Sequence, residues 1–310
     1  MGLNITKASD PITVDRTVIL IYGQPGVGKT SLASTAEKPL LLDFDRGAHR
    51  SAFRPDTVRI EKWAEAASLR PEDLADYKTL IVDTAGRALD FLVAAMPAAE
   101  GKTQLKRASG DPTLQGYGAM KASFTGWLKR ITTLGLDVIL LAHDKEDKDG
   151  DSRIIRPDIT GGSYQEIVKV ADFVGYCWID NGSRSLDFNP SSTWIGKNSA
   201  GLPRLQIPNF VQEPQWFAKT LTAMKASLGG IAEAQREAVG KLEEIQSALM
   251  DCADAAAYLQ VRASIAGLED PTLQAQAWRM TQQHAAAAGF TWNKADKEFV
   301  KLQEQSCEAA

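Results

Sequence analysis

The first two thirds of the chain alternate between short apolar runs and longer stretches in which apolar and polar residues mix. Short apolar runs that end at a polar residue are typical of strands buried on both faces of a parallel sheet. We predict strands at 18–22, 39–43, 79–83, 137–142 and 173–178, with short antiparallel strands within 184–207. Helices are predicted at 31–36, 71–77, 87–96, 118–134 and 163–171. This alternation predicts an α/β fold with a central, mostly parallel sheet.

Two stretches interrupt this order, and we predict that both are loops. Residues 97–117 contain glycine, proline and several lysines and arginines, and residues 144–162 are charged and glycine-rich. Glycine and proline mark breaks in regular structure, and dense charge is incompatible with burial in a core.

Beyond about residue 220 the chain becomes rich in alanine, glutamine and glutamate, and no strand is predicted there. Helices are predicted at 231–250, 252–266 and 271–288, the last beginning at Pro271. We therefore predict a lead-in at 1–16, an α/β domain at 17–215 and a helical region at 216–310.

The composition narrows the possible classes of protein. The formal net charge is −4, so any contact with nucleic acid must use a local basic patch or one assembled across subunits. Cys177, Cys252 and Cys307 are far apart, which favours a reducing cytosol over a disulfide framework or a zinc site. The first ten residues are polar, and no apolar run approaches the ~20 residues of a membrane helix. The predicted location is cytoplasmic, with no membrane partner.

Residues 23–30 have the pattern G-x-x-x-x-G-K-T and lie between a predicted strand and a predicted helix. Glycines let consecutive backbone N–H groups surround a phosphate, and the helix N-terminus adds a partial positive charge. Lys29 is predicted to contact the β- and γ-phosphates, and Thr30 to ligate Mg²⁺. The predicted nucleotide-binding residues are Gly23, Gln24, Pro25, Gly26, Val27, Gly28, Lys29, Thr30 and Ser31. The sequence thus predicts binding of a nucleoside triphosphate.

Asp83 follows three consecutive apolar residues at the end of a predicted strand, which is the Walker B pattern, and its carboxylate is predicted to hold Mg²⁺ opposite Thr30. Residues 83–86 also match the D-x-x-G of small GTPases, and residues 293–296 match their N-K-x-D. We reject that pairing, because the guanine-binding motif must follow a buried strand and here it falls in the predicted helical region.

Two carboxylates, Asp43 and Asp45, follow the second predicted strand. The carboxyl ends of parallel strands line the nucleotide crevice, where a carboxylate can orient the attacking water. Thr84 stands directly after Asp83, where many ATPases have a glutamate, so that position does not supply the group. We favour Asp45 because it lies beyond the strand end, and Asp43 remains the alternative.

Two further candidates lie at the ends of later strands. His143 follows the fourth strand and is predicted to sense the γ-phosphate or the attacking water. Lys197 follows a short late strand, where it could point across a subunit boundary at a neighbour's γ-phosphate as an arginine finger does; the alternative is an exposed lysine.

In this order, the phosphate loop, Leu42-Asp43-Phe44-Asp45, Asp83, His143 and Lys197-Asn198 resemble the RecA-like recombinase fold. The closest resemblance is to phage ATP-binding proteins of the Sak type, which are reduced RecA-like single-strand annealing proteins, and it covers about residues 15–212. The chain departs from the family in having Asp rather than Glu as the catalytic acid. Its N-terminal region is also too short for the polymerisation domain of full recombinases.

The resemblance implies an ATPase that binds ATP and Mg²⁺ between the protomers of a homo-oligomeric ring or filament, in the cytoplasm of a phage's bacterial host. It implies that single-stranded DNA lies along loops 97–117 and 144–162, the second of which ends in a glycine pair at 161–162. A single-strand binding protein is a further candidate partner. The implied DNA contacts are Lys102, Lys106, Arg107, Lys145, Lys148, Arg153 and Arg156, with Tyr117 and Tyr164 available for base stacking.

Other classes of P-loop protein remain open on the sequence. An AAA-type ATPase such as a helicase loader would place a sensor arginine in a helical lid, for which Arg262 and Arg279 are candidates. A small-molecule kinase is a weaker alternative, because no arginine-rich lid accompanies a substrate pocket.

Overall fold

The computed structural model describes residues 14–51, 53–149, 152–160 and 162–301. This part of the chain divides into two compact units, Val14–Leu228 and a second unit that begins at Gly229. The predicted domain boundary after residue 215 coincides with the start of a long helix, whereas the two units divide within that helix.

The strands of the first unit are β1 (Val18–Gly23), β2 (Pro39–Asp43), β3 (Asp56–Arg59), β4 (Thr79–Asp83), β5 (Ala99–Glu100), β6 (Thr103–Gln104), β7 (Asp137–Asp149), β8 (Ser152–Pro157), β9 (Phe173–Asp180), β10 (Ser183–Asp187), β11 (Lys197–Asn198) and β12 (Leu205–Ile207). Its helices are α1 (Lys29–Ala33), α2 (Trp63–Ala67), α3 (Ala85–Ala95), α4 (Leu114–Thr132) and α5 (Ser163–Val170). Helix α6 (Trp216–Met250) begins in the first unit and ends in the second. The second unit continues with α7 (Ala255–Ala266), α8 (Pro271–Ala287), β13 (Phe290–Asn293) and β14 (Glu298–Lys301).

The described residues of the first unit form a ten-stranded sheet in the order β12-β10-β9-β1-β7-β4-β2-β3, with β11 paired to β9 and β8 to β7. The strands from β9 to β3 in this order are parallel, β10 pairs antiparallel with β9, and β12 pairs antiparallel with β10. Alternate residues of β1 enter separate apolar cores on the two faces, Leu20 on one and Ile21 on the other. The predicted α/β fold with a mostly parallel central sheet is confirmed.

The register brings the carboxyl ends of the central strands to one edge. Gly23 of β1 pairs with His143 of β7 on one side and with Cys177 of β9 on the other. Asp43 of β2 pairs with Asp83 of β4. Asp43, Asp83 and His143, three of the strand-end residues selected from the sequence, therefore share this edge.

The loop prediction for 144–162 is wrong over 144–149 and 152–157, which form strands. Strands β7 and β8 form a hairpin that continues the central strand beyond the sheet, pairing Asp144 with Pro157 and Lys148 with Arg153. Its charged side chains pair with each other instead of entering a core, as Arg156 does with Asp147 and Arg153 with Glu146. A charged hairpin lacks the apolar runs that identified the other strands. Gly161 lies outside the described residues.

The prediction for 97–117 also needs correction. A short β5–β6 hairpin stands inside the predicted loop. Helix α4 begins at Leu114, earlier than predicted, because the Thr113 hydroxyl accepts a hydrogen bond from the backbone N–H of Gly116 at 3.1 Å.

The second unit is not purely helical as predicted, because β13 and β14 form an antiparallel hairpin. The tetrapeptide that resembles a guanine-binding motif is its turn, where Asn293 donates a side-chain hydrogen bond to Asp296 at 2.5 Å. The hairpin contributes Phe299 to a core that includes Tyr258 of α7 and Ala277 of α8. No helix among the described residues is long and apolar enough to cross a membrane.

Candidate functional site

The glycine-rich loop between β1 and α1 forms the floor of a cleft. Gly26 and Gly28 have φ angles of 82° and 94°, the left-handed region that favours glycine, and these angles turn the loop back toward α1. The Lys29 side chain is 6% exposed, and its ammonium donates hydrogen bonds to the carbonyls of Gly23 at 2.7 Å and Gln24 at 2.9 Å. Burial lowers the pKa of Lys29. The loop thus holds a buried cation that an anionic ligand would stabilise.

Thr30 and Asp83 meet across the cleft, where the Thr30 hydroxyl donates a 2.7 Å hydrogen bond to the Asp83 carboxylate. Burial raises the pKa of Asp83, and the hydrogen bond from Thr30 opposes this shift. These two oxygen donors fit Mg²⁺, which is usually held by one or two carboxylates together with water and substrate phosphates. Because Thr30 and Asp83 supply two oxygen donors, the site fits a Mg²⁺ that is also bound by a phosphate ligand.

The structure distinguishes between the two aspartates that follow β2. Asp43 is 4% exposed, and its carboxylate accepts hydrogen bonds from the backbone N–H groups of Gly47 at 3.0 Å and Ala48 at 3.1 Å. Asp45 lies beyond the strand and faces the cleft, with its carboxylate 3.4 Å from the guanidinium of Arg87 on α3. Asp43 thus fixes the turn after β2, and Asp45 is the aspartate available to a ligand.

His143 stands beside the loop, paired in register with Gly23, and lines the same cleft. Its Nδ1 atom is buried and has no hydrogen-bond partner among the described residues. Buried polar atoms in folded proteins are nearly always paired, so an unpaired one in a cleft points to a polar ligand. The predicted sensor histidine is therefore positioned to contact such a ligand.

The complete cleft has a volume of about 400 Å³ and collects side chains from several strands of the sheet. It includes Arg184 of β10, which the sequence analysis did not select, because a lone arginine on an antiparallel strand carries no motif. The lining residues are Pro25, Gly26, Gly28, Lys29, Thr30, Ser31, Asp45, Gly47, Ser51, Asp83, His143 and Arg184.

Lys197 is not among these residues. Strand β11 pairs with the beginning of β9, matching Lys197 with Val174, whereas the phosphate loop adjoins the later part of β9. The Lys197 ammonium donates hydrogen bonds to three carbonyls at the end of α5, the nearest being Ala171 at 2.5 Å. Lys197 therefore caps a helix of its own subunit, and its role toward a neighbouring subunit stays a prediction.

The basic residues proposed to meet DNA differ in their surroundings. On the β7–β8 hairpin, Lys145, Arg153 and Arg156 each form an ion pair with an aspartate or glutamate. Between α3 and α4, Lys102 and Arg107 are exposed, and neither forms an ion pair with any described residue. Lys148 of the hairpin is also exposed and forms no ion pair with a described residue. Unpaired positive charge therefore lies on both segments.

Comparison with known proteins gives two findings. A family model described as an AAA domain matches residues 15–200, more than half of the chain. The SPbeta prophage-derived uncharacterized protein YorG of Bacillus subtilis (strain 168) is 24% identical over 222 residues. That alignment covers 63% of this chain and 63% of the length of YorG.

Proposed function

This chain belongs to the AAA domain family, and from that membership we propose that it is a Mg²⁺-dependent ATPase whose active site is the cleft around Lys29. The observation that carries the proposal is the convergence of four groups at one sheet edge. These are the buried ammonium of Lys29, the Thr30–Asp83 oxygen pair, the cleft-facing carboxylate of Asp45 and the unpaired Nδ1 of His143.

Each group has a role that follows from its chemistry. Backbone N–H groups of the loop and the Lys29 ammonium would bind the phosphates of ATP, replacing the carbonyl contacts that the ammonium makes. Thr30 and Asp83 would hold Mg²⁺, which when bound neutralises charge on the phosphates. Asp45 would accept a hydrogen bond from the attacking water and orient it, and His143 would donate to or accept from the same region.

Arg87 supports this assignment of Asp45. Its guanidinium contacts Asp45 at 3.4 Å and Asp90 at 3.2 Å, so it restrains the Asp45 carboxylate from α3. A restrained carboxylate loses less conformational freedom when it positions water, which favours the transition state.

At a finer level, we propose that the ATPase acts on single-stranded DNA as a homo-oligomeric, Sak-like recombination protein of phage origin. The prophage origin in the name of YorG supports the phage setting. Lys102 and Arg107 are the favoured DNA contacts, because three of the four basic residues of the β7–β8 hairpin already have acidic partners.

The test is the rate of ATP hydrolysis with and without single-stranded DNA, with particle size followed by light scattering. We expect Mg²⁺-dependent phosphate release that single-stranded DNA stimulates, in particles larger than a monomer. No phosphate release from a preparation that binds ATP would contradict the ATPase. A hydrolysis rate that does not change when DNA is added would contradict the proposed action on DNA and leave the ATPase proposal standing.

The DNA contacts are tested by salt dependence. Each lysine or arginine that meets a phosphate of a single strand contributes about −0.7 to the slope of log affinity against log salt. Neutralising Lys102 and Arg107 should therefore flatten the slope by about 1.4. Neutralising Lys145, Lys148, Arg153 and Arg156 should change it less, and the reverse order would move the DNA to the hairpin.

A helicase loader or similar remodeller is the second candidate, because the matching family is the AAA domain. Of its proposed sensor arginines, Arg262 lies over the ring of Trp292 at 3.8 Å and that of Trp278 at 5.4 Å, within the second unit. Stimulation of hydrolysis by a protein partner, without any response to DNA, would favour this candidate.

A further inference from the structure

Arg184 enters the cleft from the opposite side to the residues proposed for Mg²⁺ and water. In the sheet order, β7 and β4, which carry His143 and Asp83, lie on one side of β1. Strands β9 and β10 lie on the other, and Arg184 belongs to β10. The phosphate loop that follows β1 therefore stands between two sets of polar groups.

The Arg184 guanidinium is held against this loop by neighbouring groups. It lies 4.8 Å from the centre of the Phe210 ring, and one of its nitrogens donates to the carbonyl of Pro208 at 3.3 Å. The other terminal nitrogen lies 2.8 Å from the point that a Cβ atom on Gly28 would occupy. The absence of a side chain at Gly28 thus gives the guanidinium room beside the loop.

Arg184 is partly buried, yet no described carboxylate lies within ion-pair distance of it. Arg204, which precedes the neighbouring strand β12, provides the contrast. It also stacks on an aromatic ring, that of Trp178 at 5.2 Å, but it forms an ion pair with Asp187 at 3.2 Å. A partly buried arginine without an anion in a phosphate-binding cleft is arranged to receive one.

We propose that Arg184 is a second phosphate-binding cation, supplied by the same subunit, and that it binds the part of the nucleotide shared by ATP and ADP. This inference rests on the proposed function, and it adds which phosphates Arg184 contacts. The groups assigned to the γ-phosphate and the attacking water lie on the β7–β4 side of the loop. The β10 side is left for the α- and β-phosphates.

This placement has a kinetic consequence. A contact made equally with substrate, transition state and product stabilises all three, so its loss raises KM and leaves kcat nearly unchanged. Arg184 should also strengthen the binding of ADP, and so slow its release. Loss of an arginine that contacts the γ-phosphate would instead lower kcat.

Calorimetric titration of ATP and of ADP into the wild type, Arg184→Ala and Arg204→Ala tests the proposal. A hydrogen bond to a charged group contributes enough that we expect Arg184→Ala to weaken both nucleotides by about tenfold or more, and by the same factor. Arg204→Ala should bind both within about twofold of the wild type, since its charge is already paired within the protein. Arg184→Gln, which retains a donor for Pro208 but not the charge, should behave like Arg184→Ala and serves if that variant does not fold.

The outcomes are distinguishable. Unchanged affinity for both nucleotides in either Arg184 variant would overturn the proposal, and so would a loss confined to ATP, which would place the guanidinium on the γ-phosphate. A wild type that binds neither nucleotide would contradict the proposed function itself.

Discussion

The two edges of the central sheet both carry buried charge, but they differ in what pairs with it. At the edge where the parallel strands begin, the carboxylate of Asp137 accepts hydrogen bonds from the Thr17 backbone at 2.8 Å, the Thr17 hydroxyl at 3.1 Å and the Lys225 ammonium at 2.7 Å. Asp172 accepts from the Val18 backbone at 2.8 Å. Asp137 is buried and enclosed by protein partners, and the partly buried Asp172 has a backbone partner.

At the edge where the strands end, the charged groups are incompletely paired. The Lys29 ammonium has only loop carbonyls as hydrogen-bond acceptors among the described residues, and burial lowers its pKa. Burial raises the pKa of Asp83. Both shifts favour the uncharged forms, so this edge lowers the stability of the protein, and a ligand carrying the complementary charges would recover it.

The comparison teaches how to separate structural from functional charge in this fold. A charge enclosed by protein partners should affect folding when it is removed, and one left open in a cleft should affect ligand binding or turnover. Variants at the two edges test this separation.

The largest expected effect is on turnover, from Asp45→Asn. This variant should keep ATP affinity and lose about 100-fold to 1,000-fold in kcat, because a water-positioning carboxylate acts mainly in the transition state. Asp43→Asn is the matched comparison, and it should mainly lower stability, since Asp43 fixes the turn through Gly47 and Ala48. Normal hydrolysis by Asp45→Asn, together with loss of hydrolysis in Asp43→Asn, would show that the other aspartate is the catalytic acid.

The next effect is on folding, from Asp137→Ala. Removing one partner of a buried ion pair leaves Lys225 uncompensated and should lower the free energy of unfolding by about 3 kcal/mol. Nucleotide affinity of the folded variant should not change. Urea unfolding measures the free energy of unfolding, and calorimetry measures the nucleotide affinity. A loss of affinity without a loss of stability would contradict the proposed difference between the two edges.

The smallest effect is expected from Lys197→Ala. A cation at a helix C-terminus contributes about 1 kcal/mol, so the variant should be destabilised by that amount through the loss of its contacts with α5. The prediction that Lys197 acts on a neighbour's nucleotide is tested by mixing Lys197→Ala with Lys29→Ala protomers. Recovery of hydrolysis in mixed oligomers would support it, and an inactive mixture that still assembles would leave Lys197 with the helix cap alone.

The sequence predicts the sheet and part of the site for identifiable reasons. Buried parallel strands are continuous apolar runs, and the phosphate loop has a fixed spacing, so β1, β2, β4 and Lys29 can be located without coordinates. The β7–β8 hairpin was not predicted, because the pairing of its strands does not require apolar residues. Arg184 was not selected as a site residue, because only the order of the strands in the sheet brings β10 near the phosphate loop. Which of Asp43 and Asp45 is tied to the backbone also depends on a turn geometry that alternation does not encode.

The central claim is that the edge where the strands end is an ATP site, and two matched lysines test it most directly. Both Lys29 and Lys197 donate to backbone carbonyls, at opposite edges of one sheet. Calorimetric titration of ATP with Mg²⁺ should show that Lys29→Ala loses affinity by at least about 100-fold, since a charged hydrogen bond and the local positive charge are removed together. The same titration should show Lys197→Ala binding within about twofold of the wild type. Wild-type affinity in a folded Lys29→Ala variant would contradict the claim.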